Sequence, residues 1–164
     1  MRGERATSRR LGTSPFLFAA GYTEGMARDV GIRKAIVERM AEEARGAAPQ
    51  ECCGLLAGRE GVISQIFPAA NVLASATEFE IAPVELFRIF RAMREAGLEH
   101  MGIYHSHPRG MNIPSPTDVK RAYYSDAAYF IISALPQVAQ PVRAFRIRDG
   151  RFTELAVSVQ AFER

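Results

Sequence analysis

Tryptophan is absent from this 164-residue chain, histidine occurs three times and cysteine only twice. The two cysteines, Cys52 and Cys53, are neighbours, and adjacent side chains on a strand point to opposite faces, which argues against an ordinary disulfide. No run approaches the roughly 18 apolar residues a membrane-spanning helix needs. Charge of one sign is also scarce. The net charge is +3, and residues 1–25 carry Arg2, Arg5, Arg9 and Arg10 against Glu4 and Glu24, which leaves +1 for the rest. A pI of 9.1 is therefore poor evidence for nucleic-acid binding, and no basic stripe studded with aromatics supports it. Internal repeats and low-complexity tracts are missing too. What remains is a chain with 48% hydrophobic residues, long enough for one core and too short for two.

The first residues stand apart. Up to about Gly25 there is no periodic pattern, and Met26 offers an alternative start of translation. Ser8-Arg9-Arg10 followed by Phe16-Leu17-Phe18-Ala19-Ala20 has a faint twin-arginine character, but the apolar run is short for an export signal. Residues 1–28 are expected to be a disordered or mis-assigned extension, residues 29–164 a single domain, and the protein cytoplasmic.

The densest chemistry lies in His105-Ser106-His107, with Ser115 and Asp118 downstream. Met101, Ile103, His105 and His107 alternate with Gly102, Tyr104 and Ser106. On an extended strand both imidazoles then leave the same face, with Cα atoms roughly 6.6 Å apart. Ser115-Pro116-Thr117-Asp118 reads as a helix start, with Ser at the N-cap, Pro at the first helical position and an acid at the third. A capping box alone accounts for Ser115 and Asp118, and a histidine near a strand end is commonly a hydrogen-bonded or surface group. Taken together, two imidazoles and one carboxylate match the open ligand set of a hydrolytic zinc, which keeps a fourth position for water.

Around this segment the elements are readable. Ile32, Ile36, Met40 and Ala44 recur at helical spacing ahead of Gly46 and Pro49, which predicts a helix over 31–45. Cys53–Gly58 and Val62–Ala69 flank Arg59-Glu60-Gly61 as a hairpin, and Glu78–Ile81 alternates like a further strand. Pro83 opens a second helix, with a core stripe of Leu86, Ile89, Phe90 and Met93, that Gly97 stops. The histidine strand over 101–105 follows, then a loop over 108–114 and the Ser115-capped helix to about Ser125. Strands are expected near 128–134, 142–148 and 151–159, with Asp149-Gly150 as a hairpin turn.

The spacing His105-x-His107-x7-Ser115-x2-Asp118, with Pro49-Gln50-Glu51-Cys52-Cys53-Gly54-Leu55-Leu56-Ala57-Gly58 upstream, resembles the JAMM (MPN+) metalloprotease family from about Ile32 to the C-terminus. Within it the chain is similar to short prokaryotic members that process ubiquitin-like or sulfur-carrier proteins. The resemblance implies one zinc ion on His105, His107 and Asp118, Glu51 as general acid/base, and Ser115 as a donor to the tetrahedral intermediate. From sequence alone Glu51 has no advantage over Glu78 or Glu80. Zinc on two neutral imidazoles and one carboxylate keeps about one net positive charge, which brings the ionisation of bound water towards neutrality. The implied fold is a cytidine-deaminase-like three-layer α/β/α sandwich with a mixed central sheet. A true deaminase is disfavoured, because its His-x-Glu and Cys-x-x-Cys ligands are missing.

The implied partner is a carrier protein with an extended C-terminal tail, which Glu78–Ile81 would pair with as a sheet edge. The loops look too short to grip polyubiquitin, so a small carrier bearing cysteine or another amine fits better. The competing readings are a peptidase on unrelated peptides and a non-catalytic MPN scaffold, and a homodimer is a further partner to expect. At least one of Cys52 and Cys53 is expected to act as a small buried hydrophobe, the sharper alternative being a thiolate beside the zinc.

Overall fold

The computed structural model describes residues 29–161, and the expectation for the N-terminal extension lies outside them. The chain runs β1 (Val30–Arg33), α1 (Lys34–Ala47), β2 (Cys53–Arg59), β3 (Val62–Ala69), α2 (Pro83–Glu95), β4 (Glu99–His107), α3 (Pro116–Lys120), β5 (Ala128–Ser133), β6 (Val142–Arg148), β7 (Arg151–Leu155) and β8 (Val157–Gln160). All eight strands form one mixed sheet in the order β7-β6-β5-β4-β2-β3-β1-β8. The β4–β5, β1–β3 and β1–β8 pairs are parallel. β7 and β8 lie at opposite ends of that order, yet only Ala156 separates them in the chain, and Val30 N–H donates to the Ala156 carbonyl. A flat sheet cannot satisfy both facts, so the sheet curls until its ends meet.

Strand alternation assigns the faces. Leu56, Tyr104, Phe130 and Ala144 turn to the concave side, where they enclose Ile36, Met40 and Ala44 of α1. Leu55 and Ala57 turn outward under Ile89 and Met93 of α2, while Ile103, Tyr129 and Ile131 pack with Val119 of α3. Helices therefore cover both faces of a mixed sheet, the three-layer arrangement that the family resemblance implies. Each large side chain buried this way contributes about 1.5–3 kcal/mol of transfer free energy. At Gly54 a side chain is excluded by the Tyr104 ring and the Phe67 carbonyl, so the bare backbone lets Tyr104 lie flat in the concave core.

Turn chemistry agrees with the hairpins: Glu60 and Gly61, then Asp149 and Gly150, all take positive φ. Four expectations need correction. Residues 30–33 form a strand, because Ile32 is bracketed by the ladders to β3 and β8; the helix begins only at Lys34, and its N-cap Arg33 makes no side-chain cap. Glu78–Ile81 is not a strand. Its backbone is occupied by Asn71, which donates to the Glu78 carbonyl at 3.0 Å and accepts from Glu80 N–H at 3.2 Å, and by Val72 N–H bonded to the Glu80 carbonyl. The helix after Ser115 ends at Lys120, since the Tyr129 hydroxyl takes Tyr124 N–H at 2.9 Å and leads the chain into β5. The stretch 151–159 is two strands that part at Ala156 for opposite ends of the sheet.

Candidate metal centre

β4 carries Tyr104 and Ser106 on its concave face, so Ile103, His105 and His107 emerge on the convex one. α3 starts beneath them. Its N-cap is a full capping box: Ser115 Oγ accepts Asp118 N–H at 3.1 Å, and Asp118 Oδ2 accepts Ser115 N–H at 2.7 Å. The capping box and the metal-site reading are therefore compatible. The cap fixes the Asp118 carboxylate and leaves Oδ1 to face His105 Nε2 at 3.1 Å, while Oδ2 also lies 3.3 Å from His107 Nε2. The two Nε2 atoms are 3.0 Å apart. Donors about 2.0–2.1 Å from a tetrahedral zinc stand about 3.3 Å from one another, so this spacing fits a shared ion. His105, His107 and Asp118 thus form a group able to hold a metal.

The two imidazoles are oriented differently. His107 directs Nδ1 to the Met111 carbonyl at 2.7 Å, which places the proton on Nδ1 and leaves the Nε2 lone pair inward. His105 is buried and stacked on Phe79 with ring centroids 4.6 Å apart, and its Nδ1 has no hydrogen-bond partner. Burial holds the His105 imidazole below its ordinary pKa. Burial would also lower His107, but Asp118 and the Met111 carbonyl outweigh it and raise the group. For Asp118, burial is overcome by bonds from both histidines, and its carboxyl stays well below the usual range.

Glu51 lies just ahead of β2. The antiparallel register pairs Cys53 with His105 and, continued two residues outward, sets Glu51 across from His107 on the same convex face. Its backbone is clamped: Glu51 N–H donates to the Ser75 carbonyl, and Asn71 Nδ2 reaches the Glu51 carbonyl at 3.2 Å. The side chain is 3% exposed, and Oε2 has no hydrogen-bond partner. Burial pushes its pKa up to about 7, with His107 pulling the other way and Asp118 and Glu78 adding to the rise. A buried, unpartnered carboxylate poised near neutrality is suited to moving protons. Of the acids left open by the sequence, Glu78 and Glu80 instead line the neighbouring cavity.

That cavity, about 380 Å³, adjoins His105 and Asp118 and is walled by Leu55, Phe79, Ile81, Leu86, Ile103 and Tyr129, with Arg121, Tyr123 and Tyr124 at its side. Ser106, on the concave face, accepts Cys52 N–H at 2.9 Å and ties β4 to the segment bearing Glu51. Neither cysteine joins the metal group. Cys52 packs on the concave side, and Cys53 points its thiol at the Ala69 carbonyl. Burial pushes the two thiols up to about 11 and about 12, so both stay protonated. Sequence reasoning missed Asn71, Phe79 and the Met111 carbonyl. An asparagine in a polar loop and a lone aromatic carry no local signal, and a carbonyl carries none at all.

Fold and site define an α/β protein with a His-His-Asp group able to hold a metal beside a buried carboxylate. Comparison with known proteins places it more narrowly. The family of prokaryotic homologs of the JAB domain matches residues 33–148, and the chain belongs to that family. It is 38% identical over 130 residues to the CysO-cysteine peptidase of Mycobacterium tuberculosis, covering 78% of this chain and 89% of that protein. It is 34% identical over 131 residues to the desampylase of Haloferax volcanii, covering 78% of this chain and 91% of that one. A solution structure from Desulfitobacterium hafniense is similar at a TM-score of 0.72 and 31% identity, covering 81% of this chain and 94% of that chain. The chain is, with these relatives, a peptidase of the JAB type.

Proposed function

We propose that residues 29–164 form one zinc-dependent peptidase domain that hydrolyses an amide bond at the C-terminus of a small sulfur-carrier or ubiquitin-like protein. The observation that carries this is the convergence of His105 Nε2, His107 Nε2 and Asp118 within 3.0–3.3 Å of one another, with an unpartnered Glu51 carboxylate set across from His107. His105, His107 and Asp118 would hold zinc, which when bound polarises the scissile carbonyl and acidifies water. Glu51 takes a proton from the attacking water and delivers it to the leaving amine. Ser115 Oγ already accepts the cap N–H, so its own proton is free to donate to the developing oxyanion.

Two further observations support a protein substrate. Tyr123 and Tyr124, both exposed, line the cavity beside His105 and offer rings to an incoming chain. The relatives act on comparable conjugates by name, one on CysO-cysteine and one as a desampylase. The tail is read as lying in the cavity beside His105, whose wall includes Glu78–Ile81; Asn71 and Val72 take the backbone groups of Glu78 and Glu80 on one side of that segment. The complete ligand set favours this reading over a non-catalytic scaffold. Among the described residues no helix is long and apolar enough to cross a membrane, and a cytoplasmic location is part of the proposal.

The test is zinc stoichiometry after metal loading and desalting, paired with cleavage of a carrier bearing a C-terminal amide-linked amino acid. About one zinc per chain, lost in His107→Ala, together with release of the amino acid, is the expected result. A folded protein that retains no zinc overturns the reading.

A further inference from the structure

The loop after β4 is held in place by two buried polar side chains outside the ligand set. Ser133 ends β5 and pairs with His107 in the parallel register, so it lies directly beside that residue. Its hydroxyl donates to the Gly110 carbonyl at 2.9 Å and accepts Leu135 N–H at 3.3 Å. Asn112 is 1% exposed and donates from Nδ2 to the Gln140 carbonyl at 2.7 Å. Between Gly110 and Asn112 lies Met111, whose carbonyl meets His107 Nδ1. The Met111 side chain is 55% exposed, so this residue serves His107 through its backbone.

A buried hydroxyl or amide is unfavourable unless bonded. Here neither side chain bonds to the sheet ladder. Both reach carbonyls of irregular segments, so what they fix is the position of the loop. We propose that Ser133 and Asn112 are positioning residues that hold the Met111 carbonyl against His107 Nδ1 and thereby aim His107 Nε2 at the point it shares with His105 and Asp118. The proposal rests on the reading of those three as metal ligands. His105 needs no such brace, because β4 buries it and Phe79 stacks on it. The two ligand histidines therefore differ in what their orientation depends on.

The experiment uses the full chain carrying Ser133→Ala or Asn112→Ala. The zinc dissociation constant is measured by competition with a chromophoric chelator, and the melting temperature of the metal-free protein is recorded alongside. Partners of metal-bound histidines typically account for about 10- to 100-fold in affinity, and a loss of that size is expected in each variant. Ser133→Thr, which keeps the hydroxyl, should recover most of it. Phe130→Leu, a cut in the concave core away from the loop, should lower the melting temperature without changing zinc affinity. Wild-type affinity in both alanine variants overturns the proposal, as does a loss that Phe130→Leu reproduces at an equal drop in melting temperature. If the wild type binds no zinc, the ligand assignment falls and this proposal with it. Zinc that is lost in His107→Ala but untouched in the two alanine variants overturns this proposal alone.

Discussion

The two faces of the curled sheet are built from the same strands and do different work. The concave face, wrapped round α1, is sealed by Tyr104, Phe130, Leu56 and Met40, each fully buried, and a hydrogen bond from the Tyr104 hydroxyl to Glu43 at 2.5 Å meets its polar need. The convex face leaves Glu51 Oε2 and His105 Nδ1 without partners and opens a cavity beside His105. Polar groups that a stable core would satisfy are here left unpaired, and the sealed face underneath keeps them where they are. Stability and chemistry are thus divided between alternate residues of single strands, Tyr104 facing one way and His105 the other.

That division is testable by cutting each face separately. The largest effect is expected from Asp118→Ala, which removes one ligand and half of the capping box; bound zinc and turnover should both vanish in elemental analysis and in a cleavage assay. Phe130→Ala on the opposite face should cost about 3–5 kcal/mol in denaturant unfolding, while the folded fraction keeps its zinc and its rate. Glu51→Gln should slow turnover by about 10²- to 10⁴-fold with zinc content unchanged, and an unchanged rate would take Glu51 out of its role. Ser115→Ala should lower kcat by about 10²- to 10³-fold, the usual cost of one oxyanion donor. Smallest is Tyr104→Phe, which should cost about 1 kcal/mol by removing the bond to Glu43 Oε2 while Arg39 still holds Oε1, with kinetics like wild type. A change in KM or kcat in that variant would show that the two faces are coupled.

Much of this arrangement was legible from short-range patterns. β2–β3 and β6–β7 announced themselves through Glu60-Gly61 and Asp149-Gly150, and α2 through Pro83 and Gly97, because turn and cap chemistry is local. His105, His107, Ser115 and Asp118 were legible for the same reason, being confined to one strand, one loop and one helix start. Glu51 was named through family resemblance, since nothing local distinguishes it from Glu78 or Glu80, and only the β2–β4 register sets it across from His107. β1 was misread because Ile32 satisfies helical spacing by coincidence while its real partners, β3 and β8, lie far away in sequence. The Glu78–Ile81 segment alternates like a strand but is held by one side chain, Asn71, from outside the segment. Ser133 and Asn112 were invisible for a similar reason, as their acceptors are backbone carbonyls 23 and 28 positions away.

The pairing of β1 with β8 joins the first described strand to the last. Contacts between such distant parts of a chain form late, because a large loop must close before they contribute. During synthesis the concave core can assemble as far as β7 while β1 still lacks its outer neighbour. The final four-residue strand then works as a clasp, and the chain can complete the ladder along β1 only after residue 160 has cleared the ribosome.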